Sequence, residues 1–246
     1  MYNFRSLLVS ALSLSPYLAT AAPTAAIPTE LRILPLGDSI TYGYASPDGN
    51  GYRLKLLNDL KADGDKVVFA GTVHNGTMVD NWNAGYPGKT IQYIGSQAPS
   101  SLKQYPNIVL LMAGTNDMNA NPSISTEGDD PKAAISRLDT LVGQIFKAVP
   151  NTVVLLGKIP NIADAGQETR TQQFNKLVPG IVTNRANSGQ HIKLVDMSVI
   201  QANQTIDGIH PDEAHYQLMG DIWYQGIKAL PSDWIQKPVG PDPVRS

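Results

Sequence analysis

The sequence predicts an α/β fold, a three-layer sandwich in which a parallel, five-stranded sheet lies between helices on both faces. Short apolar runs alternate with segments whose apolar residues recur at helical spacing, with no polar linker between them, so residues 27–231 read as one domain. The run at 107–113, Asn-Ile-Val-Leu-Leu-Met-Ala, is too short for a helix. It is also too apolar for a half-exposed strand, and fits the centre of a sheet covered on both faces. Short polar motifs follow the strand-like runs, where open α/β sheets form their ligand crevice.

Each element has its own signal. Residues 32–36 form a short apolar strand that runs straight into Gly37-Asp38-Ser39, and Ser39 opens a helix. Tyr52, Leu54, Leu56, Leu57 and Leu60 recur at helical spacing until Asp63-Gly64. A second strand at 67–70 closes at Gly71, and 72–88 is rich in Asn, Gly and Pro and reads as a loop. After the central strand, 118–130 is polar and turn-rich; Pro131 then opens a helix carrying Ala134, Ile135, Leu138, Leu141, Val142, Ile145 and Phe146. A strand at 152–156 precedes a helix at 168–186, which Pro179-Gly180 is expected to kink or interrupt. A fifth strand at 191–195 and a last helix at 212–230 complete a flavodoxin-like sheet. The Pro-rich tail at 232–246 is expected to be loosely held.

A net charge of -2, with 16% charged residues, supplies no basic field for nucleic acid or anionic membrane. Arg5, the apolar run 7–18 and Ala19-Thr20-Ala21 read as a secretory signal within residues 1–26, so the chain is expected to be secreted. That run is too short and broken for a membrane anchor. Asn75-Gly76-Thr77 and Asn203-Gln204-Thr205 are glycosylation sequons, with Asn75 and Asn203 as acceptors. There is no cysteine, which removes disulfides, Cys-based zinc sites and thiol nucleophiles together.

The chemistry sits in a few motifs. Ser39, in Gly37-Asp38-Ser39-Ile40-Thr41, could be a nucleophile or a helix N-cap. Asn116, in Gly114-Thr115-Asn116-Asp117, could donate to an oxyanion or simply make a turn. Gly88, in Gly85-Tyr86-Pro87-Gly88-Lys89-Thr90, could present a backbone N–H or only permit its turn. His210 follows Asp207 by three in Asp207-Gly208-Ile209-His210-Pro211, with Pro211 able to occupy the first turn of the last helix. A serine hydroxyl needs a base to take its proton and a third group to orient that base, and these residues supply all three. An Asp/His metal pair lacks a third ligand, since His215 at i+5 points elsewhere; neither metal nor organic cofactor is called for. Asp38, Tyr42, Tyr86 and Asp117, beside the motifs, are candidate substrate-binding residues.

With four blocks in this order, the chain resembles the SGNH hydrolases, or GDSL esterases, over about residues 32–230. The resemblance implies Ser39 as nucleophile, His210 as base and Asp207 as its orienter. It also implies an oxyanion hole from the Ser39 N–H, the Gly88 N–H and the Asn116 side chain, with Gly85 as the other candidate in the second block. The wider pattern is similar to the secreted acetylxylan esterases of carbohydrate esterase family 3, although Tyr86 stands where that branch has His or Ser. A monomeric esterase acting on a small-molecule or polysaccharide ester is therefore expected, with acetylated xylan favoured by Tyr42, Tyr44, Trp82 and Tyr86 among polar loops. The alternatives are a lipase or esterase for short-chain or lipid esters, and a non-catalytic carbohydrate-binding protein on an esterase scaffold.

Overall fold

The computed structural model describes Met1 and residues 29–244; the rest of the signal-like stretch lies outside the described residues. In chain order the elements are β1 (Glu30–Gly37), α1 (Ser39–Tyr42), α2 (Tyr52–Ala62), β2 (Lys66–Phe69), β3 (Val73–His74), β4 (Trp82–Gly85) and α3 (Ile91–Leu102). There follow β5 (Ile108–Met112), α4 (Pro131–Ala148), β6 (Val153–Lys158), α5 (Ala165–Asn187), β7 (Ile192–Asp196) and α6 (Glu213–Lys228). Helix α2 packs on α6, while α3, α4 and α5 pack in series, giving the two outer layers.

The sheet has seven strands, not five, in the order β3-β4-β1-β5-β6-β7, with β2 also on β1. The five expected strands keep the order β2-β1-β5-β6-β7, all parallel. Every residue of β5, at the centre, is buried, as its apolar run requires. The two additional strands come from the segment read as a loop. β2 pairs with the first half of β1, Glu30 to Ile33, and β4 takes over the same edge at Leu36 and Gly37. β3 then pairs antiparallel with β4. β2, of the same length as β4, is marked by its apolar Val-Val-Phe, whereas Val-His and Trp-Asn-Ala-Gly, set among Asn and Gly, carry no such run.

Helix α3 also escaped the sequence reading. Ile91, Ile94, Ala98 and Leu102 do recur at helical spacing and are buried, but Gly95, Pro99 and the serines between them mimic a turn. α4 begins as anticipated, with Pro131 in its first turn and the Asp130 carboxylate accepting from the Lys132 and Ala133 N–H groups. α5 runs unbroken through Pro179 over 23 residues, because buried Phe174, Val178 and Ile181 hold both halves of the helix on the core.

The tail is not loose. Buried Arg32 of β1 donates to the carbonyls of Val239 and Gly240 and to Asp242, at 2.8 to 3.2 Å. Asn107 donates to Gln236 O, and Trp234 stacks on His191 at 4.5 Å and 4°. A guanidinium buried at the start of β1 needs acceptors, and the returning chain supplies them.

Candidate active site

β1 ends at Gly37 and the chain turns directly into α1. Asp38 is its N-cap, with Oδ1 accepting the Ile40 N–H at 3.1 Å. Ser39 is therefore the first helical residue, and its N–H has no intrahelical acceptor. α1 is a single turn of four residues, so that N–H, rather than an extended helix dipole, is what the site can use. Asp38 is fully buried and cannot touch substrate; it fixes the turn instead. Burial pushes its carboxyl upward, against the Ile40 N–H, Thr115 and the charge of His210.

The last block arrives from the far end of the sheet. Asp207 Oδ1 accepts the N–H groups of Ile209 and His210 at 3.1 and 2.8 Å, folding the block into a tight turn. Gly208 sits at φ +85°, and a Cβ there would lie 2.8 Å from Ala163 Cβ. The loop after β6 anchors this turn through Ala163 N–H to Gly208 O at 2.8 Å. Asp207 Oδ2 lies 2.7 Å from His210 Nδ1, and His210 Nε2 lies 2.8 Å from Ser39 Oγ. Burial alone would raise the Asp207 carboxyl, but the His210 backbone and imidazole outweigh it and hold it below the usual carboxylate range. Pro211 lies outside the last helix, in a bridge with Thr205; Asp212 caps α6 and pairs with His215 Nδ1 at 2.6 Å.

Strand β4 delivers the second block. Its register places Gly85 opposite Gly37, and the Tyr86 N–H donates to Gly37 O at 3.0 Å. The Gly85 N–H is spent on Asn83 Oδ1 at 2.8 Å, which removes Gly85 as an oxyanion donor. Tyr86 to Lys89 then forms a turn closed by Lys89 N–H to Tyr86 O at 3.2 Å, with Pro87 second and Gly88 third at φ +72°, the type II pattern. β5 delivers the third block beside the first, since Met112 pairs with Gly37. Half-buried Asn116 donates one amide hydrogen to Lys89 O at 3.0 Å, which leaves the other available next to the Gly88 turn. Asp117 is fully buried, accepting from Ile91 N–H and from Arg137 at 2.9 and 3.1 Å, so it too is structural rather than substrate-binding. Burial pushes its carboxyl up to about 6 against both partners.

Around this centre, Tyr42 and Tyr86 are half-buried. The more telling aromatic is Tyr44, which the sequence marked only as one of several aromatics among polar loops. Its ring lies 4.6 Å from the His210 ring, it is 51% exposed, and Tyr216 Oη donates to its carbonyl at 2.7 Å. Arg53, fully buried, stands 2.9 Å from the carbonyls of Tyr42, Gly49, Asn75 and Asn81 and so ties together the loops beside α1. Asn75 commits its amide nitrogen to Tyr42 O and Gly49 O at 3.0 and 2.9 Å, whereas Asn203 is exposed.

A mostly parallel α/β sheet here carries a hydroxyl, an imidazole and a carboxylate in hydrogen-bonded series, the arrangement that serine hydrolases use. The chain belongs to the GDSL-like lipase/acylhydrolase family, whose model matches residues 36–218. It is 31% identical over 258 aligned positions to a multidomain esterase of Ruminococcus flavefaciens, covering 91% of this chain and 31% of that protein. It thus spans about a third of the length of that curated relative. A Clostridium thermocellum family 3 carbohydrate esterase superposes with a TM-score of 0.66 at 29% identity, over 80% of this chain and 94% of the other. A family 3 carbohydrate esterase from Talaromyces cellulolyticus shares the fold at a TM-score of 0.67 and 18% identity, over 81% and 96% of the two chains.

Proposed function

We propose that this chain is a secreted esterase that removes acetyl groups from plant polysaccharide such as xylan. The observation that carries the reading is the continuous series Asp207 Oδ2, His210 Nδ1, His210 Nε2, Ser39 Oγ, with steps of 2.7 and 2.8 Å across the site. Asp207, kept ionised, holds the imidazole proton on Nδ1, so Nε2 accepts the proton of Ser39 as Oγ attacks the ester carbonyl. The Ser39 and Gly88 N–H groups and the Asn116 amide receive the oxyanion. His210 then passes the proton to the departing sugar oxygen, which leaves acetyl-Ser39. Water, deprotonated by His210, adds to that ester; acetate departs as the Ser39 hydroxyl recovers its proton.

The carbohydrate-ester part of the reading draws support from the similarity to a family 3 carbohydrate esterase at 29% identity and from Tyr44 beside His210 among polar loops. Export draws support from the signal-like residues 1–26. Ser39→Ala is expected to lower turnover of 4-nitrophenyl acetate at least about a thousandfold. In the unmutated chain, acetate and acetylated xylan are expected to outrun butyrate and palmitate esters. Full activity in the alanine variant removes the assigned nucleophile; fastest turnover of palmitate removes the polysaccharide reading.

A further inference from the structure

The turn that carries Asn116 is gripped by side chains of the two helices behind it. It closes on itself through Met118 N–H to Gly114 O at 3.2 Å. From α5, Gln167 Nε2 donates to Thr115 O at 2.9 Å and Arg170 Nε to Met118 O at 2.7 Å. The middle of the turn is held from α4, where Arg137 places Nε and Nη2 on Asp117 Oδ1 at 3.1 and 2.9 Å. The other oxygen, Oδ2, accepts the Ile91 N–H at 2.9 Å. Both oxygens of a fully buried carboxylate are thus taken up, one by α4 and one by the start of α3. Asn116 lies one residue before Asp117, and its amide donates to Lys89 O, two residues before Ile91, at 3.0 Å. The adjacent side chains of Asn116 and Asp117 therefore tie the same two segments together, 116–117 to 89–91. Arg137 is itself fixed by the carbonyls of Glu127 and Gly128 at 3.5 and 3.3 Å, and its planar fork gives Asp117 a direction that a point charge would not.

We propose that Arg137 is a positioning residue for ester cleavage: by fixing the Asp117 carboxylate it aims the free amide hydrogen of Asn116 at the oxyanion. The proposal rests on Asn116 as an oxyanion donor, to which it adds α4 as the element that sets the donor's direction. The test is a double-mutant cycle on the full chain with 4-nitrophenyl acetate, with thermal melts to establish folding. Arg137→Gln alone would leave a buried carboxylate unpaired, so the change is made as Asp117→Asn with Arg137→Gln, which removes both charges together. This pair is expected to lower kcat about tenfold with KM within about twofold, because misaimed groups weaken only the transition state. Trifluoroacetone, whose adduct with Ser39 puts an oxyanion in the same place, is expected to bind about tenfold more weakly. Asn116→Ala is expected to lower kcat about a hundredfold. In that background the paired change is expected to cost less than about twofold more, since the side chain it acts through is gone. Arg185→Gln serves as the control: it breaks a 2.7 Å ion pair with Asp139 between the same two helices, from the last turn of α5, and is expected to leave kcat and ketone affinity unchanged.

A tenfold loss from the paired change whether or not Asn116 is present would make Arg137 a packing residue and overturn the proposal, as would a loss confined to KM or an equal loss in Arg185→Gln. If the paired variant does not fold, Arg137→Lys keeps the charge without the fork; about a threefold fall in kcat is expected, again absent in the Asn116→Ala background, and an unchanged kcat overturns the proposal. If Asn116→Ala itself leaves kcat and ketone affinity intact, the oxyanion assignment fails and the role of Arg137 falls with it. If Asn116→Ala is impaired but the paired change is silent, the assignment stands and only the proposal fails.

Discussion

Single side chains set the geometry on which the chemistry depends. Tyr44 is the clearest case, because its ring contacts the imidazole while half of it faces solvent. Tyr44→Ala is expected to lower kcat/KM on 4-nitrophenyl acetate about tenfold, and Tyr44→Phe to restore most of it, since the ring contact survives without the hydroxyl. Equal losses in both variants would shift the role to the phenol oxygen. Arg53 acts at one remove: a lysine there keeps the charge but cannot span four carbonyls. Arg53→Lys is therefore expected to cost about 3 kcal/mol, seen as a fall of roughly 5–10 °C in Tm. An unchanged melt would mean that the loops hold themselves.

At the level of elements, the ends of strands and helices carry most of the function. The short strand β4 aligns Gly85 with Gly37, and so carries the Gly88 turn toward Ser39 without any long-range motif to announce it. Helix α3 starts where Asp117 caps it, linking the third block to the second. Helix α6 begins two residues after Pro211, held by Asp212. Burial acts to raise the Asp212 carboxyl, but His215 and the helix N–H groups outweigh it, so the folded value lies below the ordinary one. The associated stability is present above the unfolded carboxylate pKa of about 3.9 and is lost as pH falls through the folded value. Asp212→Asn keeps a capping oxygen but loses the charge. Its Tm is expected to trail the parent by about 1–3 °C at pH 7, with the gap closing below about pH 4. A gap constant across that range would assign the effect to packing.

For the whole molecule, the two ends of β1 do different work. Its carboxyl end presents Ser39, while its start buries Arg32 under the returning tail. A chain ending at Pro231 would lose the acceptors at Val239, Gly240 and Asp242 and leave the Arg32 guanidinium with Gln104 O and water. Thermal melting of that truncated chain is expected to show a loss of about 3–5 kcal/mol, with turnover per folded molecule nearly unchanged because the reaction centre lies at the opposite end of the strand. A melt equal to that of the full chain would return the tail to the loose segment the sequence suggested.

The sequence by itself determined the layers, the five apolar strands and the order of four polar blocks, because apolar runs and short motifs are local properties. Ser39, His210 and Asp207 were legible for the same reason. Tertiary structure alone decided what those blocks meet. Only the folded strand shows that Gly85 has spent its N–H on Asn83, only packing shows that Asp38 and Asp117 are buried, and only the fold lays Tyr44 on His210 and the tail on Arg32. Except for the Gly85–Asn83 bond, whose geometry the strand sets, these depend on contacts between residues far apart in the chain, where a donor's partner or a ring's neighbour has no counterpart in local composition.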